Sequence, residues 1–145
     1  VLKGDGEMVG CGRMPTVERT MSSGRKRKEV DAIALFTTLK FLTESRAGTL
    51  GAIEFAHAMP SQGVSSTFTF GQSYGAAKSI VSLLCGAVSV VDPKVWQAKA
   101  LPRTGDSKTE SLAAAYGLYP EQAKRIGKNH GISDAILIAR HFVRQ

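Results

Sequence analysis

Cysteine is scarce in this chain: Cys11 and Cys85 are the only two in 145 residues, and neither has a cysteine nearby. That spacing offers neither a disulfide framework nor a metal-ligand pair, so two reduced, structural thiols are expected. No apolar run reaches the roughly 20 residues of a membrane helix. The N-terminus also lacks the basic start, apolar middle and small-residue cleavage site of a secretory signal, so a cytoplasmic protein without a membrane partner is expected. Repeats and low-complexity tracts are missing. Acidic residues are outnumbered, twelve against nineteen Lys and Arg, and the net charge of +7 favours a polyanionic partner such as nucleic acid. An apolar share of 43% supports a core without staples, and one domain over residues 1–145 is expected.

Lys3-Gly4-Asp5-Gly6 reads as a hairpin turn feeding a strand, because Asp-Gly supplies the positive backbone angles of such turns. Its first arm, Val1-Leu2, is so short that native sequence is expected to precede it. Thr16 to Lys28 is polar, carries the basic cluster Arg25-Lys26-Arg27-Lys28 and has no apolar periodicity; it reads as a mobile basic loop. Val30, Ile33, Ala34, Leu39 and Leu42 then mark an amphipathic helix from Glu29 to Arg46, closed by Gly48, before a short buried strand from Leu50 to Phe55. A second helix, capped by Ser65 or Ser66, is expected to run to Leu84. Gly71, Gly75, Ala76 and Ala77 permit close approach along it. Val88 to Val91 reads as a strand, Pro93 opens a short helix carrying Trp96, and Leu101 to Lys108 reads as a loop. Ser107-Lys108-Thr109-Glu110 reads as a capping box for a helix to Tyr116 stopped by Gly117, and Pro120 starts another short one. The last helix, from Ile132 to Val143, has Ile132, Ala135, Ile136, Ala139, Phe142 and Val143 on one stripe, with Asp134 off it. This order predicts an α/β layer fold with a mixed sheet.

Glu54 ends the apolar run Leu50-Gly51-Ala52-Ile53 and opens into a polar loop, a placement that costs free energy unless the carboxylate has a partner or a task. Asp134, near the start of the last helix, is its expected partner. Two converging carboxylates need a cation, and Mg²⁺ takes oxygen ligands while retaining waters for phosphates, as phosphodiester hydrolysis requires. The alternative is that Asp134 only complements a helix dipole. His130 precedes Asp134 and reads as a metal ligand or general acid/base if the helix extends back through Gly131, and otherwise as an exposed pre-helical residue. His141 reads as structural and His57 as a loop residue. Phe68 and Phe70 stand two apart, so on a helix they point in different directions and one of them is expected to be exposed, fit to wedge between or stack on bases, or else to serve a core or dimer interface. Arg25, Lys26, Arg27, Lys94, Lys99, Arg103 and Lys108 supply charge for phosphates.

Ile53-Glu54, Ala58-Met59-Pro60-Ser61-Gln62-Gly63-Val64-Ser65-Ser66 and Phe68-Thr69-Phe70-Gly71-Gln72-Ser73-Tyr74-Gly75 resemble the RuvC-like Holliday-junction resolvases, especially phage-type members. Val91-Asp92-Pro93-Lys94-Val95-Trp96, Gly105-Asp106-Ser107-Lys108 and Ser133-Asp134-Ala135-Ile136-Leu137-Ile138-Ala139 continue the resemblance in order. It implies an RNase H-like fold, a homodimer, and symmetric nicking of four-way DNA junctions with Mg²⁺ or Mn²⁺. Glu54 and Asp134 match two catalytic acids, and His130 falls near a position where members carry Asp or His. Lys108 matches a basic residue placed near the scissile phosphate. Phe68 or Phe70 matches the region of an aromatic wedge, with Gln62 and Ser66 in the same DNA-facing segment. The family's first-strand acid has no counterpart here, since Asp5 lies in a hairpin turn.

The expected function is therefore a structure-selective endonuclease resolving four-way junctions, with carboxylates holding two metal ions. A non-catalytic branched-DNA-binding module and a flap or fork nuclease of the same fold are the alternatives.

Overall fold

The computed structural model describes residues 1–43, 48–102 and 105–143. The polar stretch expected as a loop forms a hairpin instead. Strand β1 (Thr16–Thr20) pairs antiparallel with β2 (Lys26–Val30), Thr16 facing Val30 and Thr20 facing Lys26. β-Branched Thr16, Val17, Thr20 and Val30 suit extended backbone, and diagonal ion pairs join Arg19 to Glu29 at 2.8 Å and Lys26 to Glu18 at 2.9 Å. Gly24 turns the chain at φ +77°, its N–H bonded to the Met21 carbonyl at 2.8 Å. Every β1 residue is exposed, so no apolar alternation marks the strand in the sequence.

A second two-stranded sheet pairs β3 (Leu50–Glu54) with β4 (Ala87–Val91). Gly86 N–H bonds the Thr49 carbonyl at 3.0 Å and Phe55 N–H bonds the Val91 carbonyl at 2.7 Å, so the strands run the same way and helix α2 (Val64–Leu84) is their crossover. Two short sheets flanked by helices thus replace the single mixed sheet expected. The charged hairpin satisfies itself as a ribbon, and the N-terminal turn makes only an isolated bridge between Leu2 and Met8. No helix among the described residues is long and apolar enough to cross a membrane.

The chain divides into two compact units. One comprises Met14–Gly51 and Ala56–Val88. Its helix α1 (Ala32–Thr43) starts later than Glu29, because β2 claims Glu29 and Val30 and Asp31 caps the helix by accepting Ala34 N–H at 3.0 Å. Leu35 is its buried residue, while Ile33 and Phe41 face outward; the expected end at Arg46 lies outside the described residues. α1 packs on α2, which buries Ile80 as expected. Gly63, not Ser65 or Ser66, caps α2. Its glycines make no close approach, since a Cβ on Gly71 or Gly75 would meet nothing within 4 Å. The close approach is at Gly51, where a Cβ would lie 2.4 Å from Val81 Cγ1.

The other unit comprises Val1–Arg13, Ala52–Phe55 and Ser89–Gln145. Asp92 caps helix α3 (Pro93–Ala100) by accepting Lys94 N–H at 2.8 Å, and Pro93 fills the first turn where no N–H is needed. Helix α4 (Ser107–Leu118) is capped by Asp106 rather than by Ser107, and it runs through Gly117. A short 3-10 turn (Pro120–Gln122) and helix α5 (Ala123–Ile126) lead to α6 (His130–Val143). α6 buries Ile132, Ser133, Ile136, Leu137 and Ile138 and leaves Ala135 exposed, a broader inward face than the expected stripe. Val91, Trp96, Leu101, Leu137 and Ile138 form one apolar cluster, and Ala115, Tyr119, Ile126, Ile132 and Ile136 a second. Tyr119 Oη donates to the Gly6 carbonyl at 2.8 Å, tying the N-terminal turn to the second cluster.

Gly51→Ala is expected to lower stability by about 1–3 kcal/mol through overpacking against Val81. Gly75→Ala, in open helix, is expected to raise it by about 0.5–1 kcal/mol. Denaturant midpoints of both variants check the opposite signs.

Candidate functional site

Glu54 is set by three local features in turn. The bond from Phe55 N–H to Val91 holds the end of β3 against the end of β4, the Asp92-Pro93 cap turns the chain straight into α3, and Trp96 follows within one turn. The Trp96 indole is 1% exposed, and its Nε1–H donates to Glu54 Oε1 at 2.9 Å. Among the described residues no other group bonds the Glu54 carboxylate, and no cation pairs with it.

Asp134 is treated alike. Ser111 Oγ, on α4, donates to Asp134 Oδ1, and Ser111 Oγ also lies 2.7 Å from Ser133 Oγ. Asp134 has no cationic partner among the described residues either. Trp96 relates the two acids: it packs in one cluster with Leu137 and Ile138, and Asp134 lies three and four residues before these, on the same face of α6. The sequence pattern put Asp134 off the apolar stripe; in the structure it is half-buried beside the buried Ser133, with its carboxylate on Ser111.

His130 joins this group, since α6 does extend back through Gly131 and starts at His130. Its Nδ1 lies 3.3 Å from the Lys108 carbonyl. A carbonyl only accepts, so Nδ1–H is the donor in this contact and Nε2 is not engaged by it. Asp134, His130 and the backbone of Lys108 thus meet where α4 crosses α6, while the Lys108 side chain is exposed. Among the described residues, no three His, Cys, Asp or Glu side chains are grouped to hold a metal ion. The donor chemistry still fits Mg²⁺, which is commonly bound by one or two carboxylates and completed by waters and substrate phosphates.

In the other unit, the β1–β2 hairpin and the first turns of α2 enclose an open hollow of about 430 Å³ lined by Arg25, Lys26, Arg27, Ser65, Ser66, Thr69, Phe70 and Ser73. Arg27 Nη2 donates to Ser65 Oγ at 2.7 Å, fixing one guanidinium at its rim. Both phenylalanines are exposed, not one as expected: Phe70 is 45% exposed and lines the hollow, and Phe68 is 62% exposed. Gln62 is exposed in a turn, its side chain accepting Met59 N–H at 3.2 Å. Lys94 and Lys99 are exposed on α3, and Arg103 lies outside the described residues. His57 is an exposed loop residue. The His141 ring meets Phe142 edge-on, and burial, helped by the Lys99 charge, pushes its pKa down.

No family model and no curated protein matches this chain. The site therefore has to be read from its own chemistry. Sequence patterning missed Trp96 as the partner of Glu54, missed Ser111 and Ser133, and missed Ser65, Thr69 and Ser73 around the basic hollow. The serines had one available signal: Ser111 and Ser133 each stand three residues after a candidate site residue, Lys108 and His130.

The α4 cap carries a pH dependence. The Thr109 hydroxyl, then the backbone N–H groups of Lys108 and Thr109, hold the Asp106 carboxyl below its ordinary pKa. A lowered folded-state value stabilises fully above the ordinary Asp range, and that stabilisation is lost as pH falls through the folded value. Asp106→Asn, which keeps a cap but cannot titrate, is expected to flatten the fall of melting temperature below about pH 4. An unchanged acid limb would count against this.

Proposed function

We propose that this protein is a metal-dependent endonuclease of RNase H-like fold acting on branched DNA, of the kind its resemblance to RuvC-like resolvases implies. The observation that carries the reading is the state of its two acids. Glu54 and Asp134 are partly buried, each is held through one oxygen by a neutral donor, and neither is paired with a cation among the described residues. Carboxylates withdrawn from water without a countercharge are costly, and an external cation relieves that cost.

Glu54 Oε2 and Asp134 Oδ2 are the oxygens left to hold Mg²⁺ or Mn²⁺. Bound there, such an ion would supply an activated water and offset charge on the phosphate. Trp96 and Ser111 fix the two carboxylates before substrate arrives, so little reorganisation is needed during reaction. His130 presents Nε2 as a proton acceptor, and Lys108 offers a mobile positive charge to a phosphate oxygen. The basic hollow suits a DNA backbone, with Arg27 pre-set by Ser65 and the small hydroxyls of Ser66 and Ser73 as further phosphate donors. Phe68, outside the hollow and largely exposed, suits stacking on an unpaired base. A homodimer would present two such sites to the two strands of a junction.

A second reading, junction binding without cleavage, is favoured by the lack of a third grouped ligand among the described residues. A synthetic four-way junction and a duplex of matched sequence, each with Mg²⁺ or Mn²⁺, separate the two. Metal-dependent nicking of the junction is expected, abolished by Glu54→Gln or Asp134→Asn with junction binding retained. Cleavage by both variants at the parent rate would sink the nuclease reading, and tight binding without cleavage by the parent selects the second. Phe68→Ala is expected to weaken junction binding by about 1–3 kcal/mol, a loss Phe70→Ala does not match, as gel-shift titration measures.

A further inference from the structure

Ser111 and Ser133 are the two buried polar side chains among the described residues, both 0% exposed. Sealing hydroxyls from water is unfavourable unless each finds partners, and these two find them only in a chain that ends on a carboxylate. Ser133 Oγ lies 2.9 Å from the His130 carbonyl and 2.7 Å from Ser111 Oγ, and Ser111 Oγ reaches Asp134 Oδ1. Each hydroxyl has a single proton, so the three contacts cannot all be donated at once.

That count permits two arrangements. An ionised Asp134 only accepts, so the Ser111 proton must point at Oδ1, and Ser133 then donates to Ser111, with the His130 carbonyl as a weaker alternative. Where Oδ1 no longer needs a donor, Ser111 can turn to Ser133, and Ser133 to the His130 carbonyl. The first arrangement is the one that stabilises negative charge on Asp134, and it pins Oδ1 while leaving Oδ2 unbonded. We propose that Ser111, backed by Ser133, is a positioning residue that orients the Asp134 carboxylate for a divalent cation at Oδ2. This rests on the reading of Asp134 as a metal-holding acid. In this arrangement the Ser133 proton is committed to Ser111, and the His130 carbonyl, 2.9 Å from Ser133 Oγ, takes it only when Asp134 no longer needs a donor. Partners that orient a ligand in this way typically account for about 10- to 100-fold in metal affinity or activity.

The test follows the side-chain carboxyl carbon resonance of Asp134 during Mg²⁺ titration, with junction nicking at limiting Mn²⁺ measured in parallel. Ser111→Ala is expected to raise the half-saturating Mg²⁺ about 10-fold, to slow nicking by a similar factor and to leave junction affinity unchanged. Ser111→Cys fills the same space with a weak donor and is expected to follow Ser111→Ala, and it carries the comparison should the alanine variant fail to fold. Ser133→Ala shifts the titration in the same direction by less. Parent-like Mg²⁺ binding by Ser111→Cys overturns the proposal, because filling space alone would then suffice. A parent chain whose Asp134 resonance ignores Mg²⁺ and which nicks no junction refutes the nuclease reading, and the positioning role falls with it. Metal binding by the parent with unchanged variants overturns the positioning role alone.

Discussion

The hydrogen bond from Trp96 to Glu54 is the constraint on which the unit around it depends. An indole N–H buried without an acceptor is expensive, and a strand-end carboxylate buried without a donor is more so. Each resolves the other's problem. Because the indole is also the largest side chain in its cluster, packing against Val91, Leu101, Leu137 and Ile138 fixes the acid as firmly as it fixes the core. The position of Glu54 is therefore a by-product of core packing, not of a flexible loop.

Asp134 repeats the logic with a different donor. The apolar core holds Glu54 through an aromatic, and a helix crossing holds Asp134 through a hydroxyl. In both cases the donor is neutral. A lysine or arginine in either place would satisfy the carboxylate completely and leave it nothing to bind. Neutral donors orient without neutralising, so the proposed metal role asks of these two acids something that a structural ion pair could not supply. The surface pairs Arg19–Glu29 and Lys26–Glu18 show the contrast, since there the carboxylates meet cations and stitch a hairpin.

Much of this was legible in the chain itself where local chemistry decides. Glu54 at a strand end, Pro93 in a first helical turn, the long helix after Gly63 and a final helix bearing Asp134 all follow from short-range patterns. The hairpin at Thr16–Val30 was not legible, because pattern reading looks for buried apolar alternation and β1 buries nothing; cross-strand charge and β-branching hold it instead. Trp96 could be read as a core residue but not as a donor, since its acceptor is 42 residues away. Ser111 and Ser133 look like surface residues in a helix until the crossing of α4 and α6 encloses them. The capping of α4 moved by one residue because Asp106 offers two carboxylate oxygens where Ser107 has one hydroxyl.

The full exposure of β1 has an evolutionary corollary. Since β1 contributes nothing to a hydrophobic core, its side chains can be exchanged with little effect on folding, within the limits of strand propensity. Outside the ion pairs Arg19–Glu29 and Lys26–Glu18, positions along β1 are free to change, while the carboxylates bonded by Trp96 and by Ser111 stay held by packed neighbours. Substitution on the exposed strand and around the two acids can thus proceed at separate rates within one chain.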